Sequence, residues 1–173
     1  MLALGGAIAG FATSTFIPHR YLGSARFVFI SPYNSNAPAL FDSASDVTLL
    51  PQSLELMIRR SPYYKNRLYV ESAADLVAET RGNLTIRNLP SGGVIEFENE
   101  DIDAALEVTR VTLSEFGNNA ARAANAKRAS DVIRIIKLPD ARRTGFTPWL
   151  LTALGLTAGL LTSLFIWILL PRS

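Results

Sequence analysis

The chain has 173 residues, of which 49% are hydrophobic and 18% are charged, and its formal net charge is only +2. It has no cysteine and one histidine, His19, which excludes disulfides, cysteine-based zinc sites and clusters of histidine ligands. The small positive charge gives no reason to expect a nucleic-acid partner. All fifteen acidic residues lie between Asp42 and Asp140, which predicts a water-facing domain between two apolar ends.

The first apolar end, residues 1–17, contains no charged residue and is followed by Pro18 and Arg20. Its length is at the short limit for a helix that crosses a bilayer. No basic residue precedes the apolar run, which disfavours a cleaved signal peptide. We therefore predict a retained transmembrane helix 1 over residues 1–17. The abrupt apolar start at Met1 is also compatible with a natural N-terminus further upstream.

The second apolar end, from Trp149 to Leu170, also lacks charge. About 20 apolar residues cross a bilayer core as a helix, and aromatic residues such as Trp149 and Trp167 favour its interfaces. Transmembrane helix 2 is predicted over residues 148–170, with a cytoplasmic tail at 171–173. A buried core helix is the alternative, but soluble cores rarely need so long an apolar run.

Each predicted span carries two glycines four residues apart. The pairs are Gly6 with Gly10 and Gly155 with Gly159. Such pairs let helices approach closely in lipid, so we predict helix–helix packing at these positions. Two spans would place both termini on one side of the membrane. Charge leaves the orientation open, because the positive-inside rule is reliable only for short loops.

Residues 18–147, between the apolar ends, alternate strand and helix signals. Strands are predicted at 21–31, 83–88, 93–98 and 131–137, helices at 50–60, 63–70, 73–80 and about 101–127, and a loop at 31–45. The order β-α-β-β-α-β is the split β-α-β, ferredoxin-like pattern. The predicted fold class is therefore α+β, a ferredoxin-like split β-α-β-β-α-β domain between two transmembrane helices.

The sequence shows no catalytic constellation. None of its three lysines lies in a phosphate-binding loop, no GxSxG motif occurs, and His19 stands beside a proline. The clustered acids at 96–103 allow a calcium or carboxylate site, but their spacing does not match an EF-hand loop. A solvated strand followed by the acidic first turn of a helix is the favoured interpretation. We predict no catalytic residue, no cofactor and no metal site.

A second cluster of interest is basic and aromatic. Arg59 and Arg60 stand close to Tyr63 and Tyr64, a combination that could meet an anionic glycan or a lipid head group. A solvated helix end is the favoured interpretation of the same four residues. The sequence alone leaves both interpretations open.

The C-terminal part of the domain resembles a known family. The residues that carry the resemblance are Val132 to Ile136, Leu138, Pro139, Arg142, Arg143 and Pro148, ahead of the glycine-bearing apolar segment, with the strand 21–29, Val94 to Phe97, and Asp103 to Ala105. In this order they are similar to the Wzz-type chain-length determinants, also called polysaccharide co-polymerases. The similarity covers nearly the whole chain in its order of elements, and Leu138 to Pro148 would be a membrane-proximal motif.

This resemblance implies a bacterial inner-membrane protein with a periplasmic main domain and both termini in the cytoplasm. It implies a non-catalytic homo-oligomer that regulates the chain length of O-antigen, capsule or exopolysaccharide, and hence lipopolysaccharide or polysaccharide biosynthesis, with a Wzy-type polymerase. The implied partners are the membrane, further copies, the polymerase or a lipid-linked glycan, and a separate kinase remains open. Family members insert a long helical hairpin, whereas the helix at 101–127 is at most roughly 40 Å long, so this would be a base-domain-only version.

Two other functions remain as alternatives. The chain could be a two-span accessory or sensor subunit of another envelope membrane complex, with no polysaccharide role. Neighbouring genes would discriminate between this alternative and the chain-length regulator. A membrane enzyme acting on lipid-linked sugar is disfavoured, because the residues supply no nucleophile and base.

Overall fold

The computed structural model describes residues 20–90 and 92–144, together with the single positions 153, 157, 158 and 161. The chain divides into two units, Arg20–Arg143 and a second unit that comprises residues 1–19 and 144–173. The unit Arg20–Arg143 is an α+β domain, in which helices pack on a four-stranded sheet.

The sheet contains the strands β1 (Arg20–Phe29), β2 (Leu84–Leu89), β3 (Gly92–Asn99) and β4 (Ile133–Thr144), in the spatial order β2-β3-β1-β4. Strand β3 runs antiparallel to both β1 and β2. Strand β4 begins beside the end of β1, where the Ile30 amide donates to the Val132 carbonyl at 2.9 Å. Because β3 lies between β1 and β2, the β1-to-β2 connection is a split β-α-β unit.

The helices form two groups along the chain. Helices α1 (Ala37–Thr48), α2 (Pro51–Arg60), α3 (Pro62–Arg67) and α4 (Ala73–Asn83) connect β1 to β2, and α5 (Ile102–Ala123) connects β3 to β4. Helix starts follow local chemistry. The Ser72 hydroxyl accepts from the Asp75 amide at 3.1 Å, and Oδ1 of Asp101 accepts from the Asp103 amide at 2.8 Å. Prolines open α2 and α3, where a missing N–H costs nothing.

Aromatic rings fill the space between the sheet and the helices. Phe116 of α5 lies 4.7 Å from Phe27 of β1 and 5.5 Å from Phe41 of α1, between ring centroids. Helix α5 comes close to β1 at Gly23, where an added Cβ would lie 2.1 Å from the Ala105 carbonyl oxygen. Only glycine permits this close approach, so α5 is held directly over the central strand.

Three elements differ from their sequence predictions. The predicted loop at 31–45 is wrong, because most of it belongs to α1, whose residues Leu40, Phe41, Ala44 and Thr48 are buried on one face. Their helical spacing outweighs the serines and prolines around them. Helix α4 continues through Gly82 instead of ending there. Strand β4 extends to Thr144, well past the predicted end at residue 137.

The predicted transmembrane helices require correction. Across the described residues, no helix combines the length and the apolar composition that crossing a membrane requires. The long helix α5 is continuous, but it carries five charged residues, which are Asp103, Glu107, Arg110, Glu115 and Arg122. This finding contradicts the predicted pair of spans, and with it the predicted inner-membrane location, periplasmic domain and cytoplasmic termini. The segments at 1–17 and 148–170 lie outside the described residues, apart from positions 153, 157, 158 and 161.

Candidate functional site

A polar cleft of about 500 Å³ lies beside α3, α4 and the end of β3. Its central side chain is Arg67, which donates to Glu71 from Nε at 2.7 Å and from Nη2 at 2.7 Å. The same guanidinium donates to Glu79 from Nη1 at 2.9 Å and from Nη2 at 2.6 Å. Two bidentate carboxylate pairs therefore occupy Arg67 and tie α3 to α4.

The ion pairs of this cluster, formed by Arg67, Glu71 and Glu79, shift the pKa values of Arg67 and Glu71. The hydrogen bonds that Arg67 donates to Glu71, and then those that it donates to Glu79, raise the pKa of Arg67 further above its ordinary value. The hydrogen bond from Arg67 in turn lowers the pKa of Glu71 below its ordinary value. Both shifts stabilise the charged forms, so neither group is prepared to exchange a proton near neutral pH. The cluster of Arg67, Glu71 and Glu79 is suited to joining helices, and its pKa shifts give no sign of acid–base chemistry.

The clustered acids at residues 96–103 have separate structural roles. Asp101 caps α5 through its Oδ1, and Glu96 forms an ion pair with Arg87 across the β2–β3 hairpin. Glu98 and Glu100 line the polar cleft with Asp101. Among the residues that the structure describes, no group of three or more acidic or histidine side chains could hold a metal ion.

The basic and aromatic cluster does not form one shared surface. Arg59 pairs with Glu55 at 2.7 Å and Arg60 with Glu115 at 3.7 Å. The hydroxyl of Tyr64 is buried and lies 2.8 Å from the Thr80 hydroxyl. Burial raises the pKa of Tyr64 to about 12, so its hydroxyl stays neutral inside the helical layer.

An apolar groove of about 600 Å³ lies between α5 and β4. Its lining residues are Ile30, Arg110, Leu113, Ser114, Ala129, Ser130, Ile133, Arg134, Ile135, Leu138 and Pro139. Ile133 is buried at its floor, whereas Ile135 and Leu138 are 45% and 72% exposed. We take this groove, with the neighbouring exposed Ile136, as the candidate functional site, because apolar concavities with a few polar groups are typical binding sites.

The residues named from the family resemblance fall partly within this site. Leu138 and Pro139 line the groove, and Arg142 and Arg143 follow them along β4. Pro148 lies outside the described residues, as do the glycines predicted to pack in the membrane, Gly6, Gly10, Gly155 and Gly159. The groove therefore contains only the first part of the predicted motif.

Sequence reasoning missed the wall of the groove that α5 provides. Leu113 lies in the helix predicted at about 101–127, but nothing in its spacing indicates that Ser114 and Arg110 stand beside β4. The signal that could have found the other wall is the apolar run Ile133, Ile135 and Leu138, which extends past the buried start of the strand.

The comparisons with known proteins leave the family open. No family model matches this sequence, and no curated protein matches it at a significant level.

Proposed function

We propose that this chain is a non-catalytic scaffold that assembles with further copies of itself through β4. We propose further that the assembly regulates the chain length of a polysaccharide made by a Wzy-type polymerase. The observation that carries the proposal is the exposed apolar surface of β4, a strand at the edge of the sheet.

The edge position of β4 supports assembly through the main chain. A strand at the edge of a sheet presents amide and carbonyl groups that can pair with another strand. Strand β4 is long, from Ile133 to Thr144, and its side chains are mostly exposed. Ile136 and Leu138, which share one face of the strand, are 63% and 72% exposed, and adjoining exposed apolar side chains are typical of an interaction surface.

The charges on β4 suit pairing between two copies. Lys137 and Asp140 form an ion pair at 3.0 Å within one strand. In an antiparallel pair of β4 strands centred between them, each lysine would face the aspartate of the other copy. Opposite charges across strands stabilise such pairs, so the same residues could exchange partners on assembly.

The polysaccharide part of the proposal has a separate support. It rests on the resemblance of the β4 region, with Leu138, Pro139, Arg142 and Arg143, to the Wzz-type co-polymerases. The order of elements in the domain is also the order that this resemblance implies. Deleting the gene should shift the length distribution of the surface polysaccharide without abolishing repeat-unit synthesis. An unchanged gel ladder would rule out this role.

Assembly is tested by mass photometry of the purified full chain. The wild type should form particles of several copies, and Ile136→Ser should reduce their size, because it removes apolar surface from the proposed contact. The matched control is Val70→Ser, which alters a side chain that is 87% exposed but lies in the loop before α4. A monomeric wild type, or equal effects of the two substitutions, would contradict assembly through β4.

A further inference from the structure

We propose that the open face of the sheet contacts helix α1 of a second copy, so that copies of the chain join head to tail. The open face is the side of the sheet that points away from α5, and the basic residues of the contact are Arg26 and Arg134. The contact uses side chains of β1 and β4 and leaves the main-chain edge of β4 free. It is therefore separate from the strand pairing proposed above and from any polysaccharide role.

Strand alternation places Arg26 on the open face. Successive side chains of a strand point to opposite sides of the sheet. Phe27 points towards α5, because its ring packs on Phe116 with 4.7 Å between the two centroids. Its neighbour Arg26 therefore points away from α5. Arg26 is exposed there, in register with Val94 of β3.

Strand β4 continues the same face. Ile133 is buried against α5, where a Cβ added to Gly117 would lie 3.1 Å from the Cδ1 atom of Ile133. Arg134 and Ile136 lie one and three residues further along, so both point away from α5. Because β4 begins where β1 ends and still pairs with β1, the two strands run antiparallel. Antiparallel pairing brings these two side chains next to the exposed arginine of β1.

The basic charge of this region has few partners within the chain. Residues 122–143 contain seven basic and two acidic residues. In the part of the chain that the structure describes, no ion pair includes Arg26 or Arg134. Both residues are exposed, so each guanidinium is available to a carboxylate of another molecule.

Helix α1 carries the opposite charge. Residues 27–58 contain three acidic residues and no basic residue. Two of the acids, Asp42 and Asp46, lie about one turn apart on the exposed side of α1, and neither forms an ion pair among the described residues. Val47 and Leu50, close by in sequence, are 40% and 48% exposed. This surface therefore combines acidic and apolar side chains, as the open face combines basic and apolar ones.

The two surfaces lie on opposite sides of the domain. Helix α1 packs on the covered side of the sheet, where the Phe41 ring lies 5.5 Å from that of Phe116, between centroids. Its exposed acids therefore face away from the sheet on that side, and the open face lies on the other. Contact between two unlike surfaces joins copies head to tail, and complementary charge fixes their orientation.

The test is sedimentation velocity of the full chain over a range of concentrations, at about 50 mM and about 500 mM salt. The wild type should associate at low salt, and its dissociation constant should rise by about tenfold at high salt, because salt screens exposed charges. At low salt, Asp42→Lys with Asp46→Lys should weaken association by about tenfold, and so should Arg26→Glu with Arg134→Glu.

A chain with all four substitutions provides the decisive comparison. Its net charge equals that of the wild type and its two surfaces are again complementary, with their signs exchanged, so it should recover association at low salt. The matched control is Lys65→Glu with Arg81→Glu, which changes the net charge as much as the two arginine substitutions do. Both control residues are exposed on the helical layer, outside the proposed contact, and the control should associate like the wild type.

Three results would overturn the proposal: a wild type that does not associate at low salt, a control as weak as the reversed pairs, and a four-substitution chain that does not recover. Circular dichroism shows that each variant is folded. The strand pairing of the scaffold proposal is tested separately, because particles held by main-chain hydrogen bonds of β4 persist at high salt. Their absence, or an unchanged polysaccharide ladder, would count against the scaffold and leave the recovery at low salt intact.

Discussion

Strands β1 and β4 are neighbours in the sheet, yet they use similar apolar residues in opposite ways. In β1, Ala25 and Phe27 are at most 1% exposed, because α5 covers this central strand. In β4, Ile136 and Leu138 are 63% and 72% exposed at the edge of the same sheet. Apolar composition therefore does not distinguish a strand that stabilises the fold from one that is available to bind. The position of the strand within the sheet does.

The largest expected effect on stability comes from a substitution in the buried core that covers β1. Phe116→Ala should lower the free energy of unfolding by about 3–5 kcal/mol, since it leaves a cavity against Phe27 and Phe41. Urea unfolding of the full chain, followed by circular dichroism, measures this loss. A loss below about 1 kcal/mol would mean that the aromatic cluster is not the centre of the core.

A second expected effect concerns a buried polar group in the helical layer. Because burial raises the pKa of Tyr64 from 10.0 to about 12, the unfolded chain loses this proton at lower pH than the folded chain does. Its contribution to stability is therefore fully present below pH 10 and is lost as the pH rises towards 12, by about 1.4 kcal/mol per pH unit.

The control for this alkaline loss is Tyr64→Phe, which cannot ionise. It should be less stable than the wild type near neutral pH by about 1–3 kcal/mol, since the Thr80 hydroxyl loses its buried partner. Urea midpoints at pH 7 and pH 11 should then show a smaller decrease for the variant than for the wild type. Equal decreases would contradict the raised pKa.

The smallest expected effect on stability comes from an exposed side chain of β4. Leu138→Ser should change the free energy of unfolding of the full chain by no more than about 0.5 kcal/mol, because the side chain is 72% exposed. The same urea titration measures it. A loss comparable to that of Phe116→Ala would show that Leu138 is covered in the folded protein, and the contrast between β1 and β4 would fail.

Much of the domain was predictable because its elements carry local signals. The alternation in β1, the turn between β2 and β3, and the acidic start and apolar stripe of α5 gave ranges close to those observed. Helix α1 was missed because its serines and its proline resemble a loop, while the burial of Leu40 and Phe41 depends on contacts with distant residues. Tertiary packing overrode local composition there.

The candidate site was predictable only in part. Leu138 and Pro139 were named from a family resemblance, but the opposite wall of the groove belongs to α5, more than twenty residues earlier in the chain. No periodicity reports a contact between elements that are so far apart in sequence. The predicted membrane spans are wrong for a different reason: they rest on uncharged apolar length and on tryptophans near the ends of one segment, and the described helices do not support them.

Pro139 limits how far another strand can pair along β4, which bears on aggregation. A long edge strand can template open-ended pairing with further strands, and β4 has 12 residues. Proline has no N–H, so it interrupts the row of donors and divides the strand into two short stretches. An incoming strand that extends through Pro139, as in the antiparallel pair proposed above, forms one hydrogen bond fewer at that position. Replacing Pro139 by alanine would restore the missing donor and lengthen the row of amides with which another strand can pair.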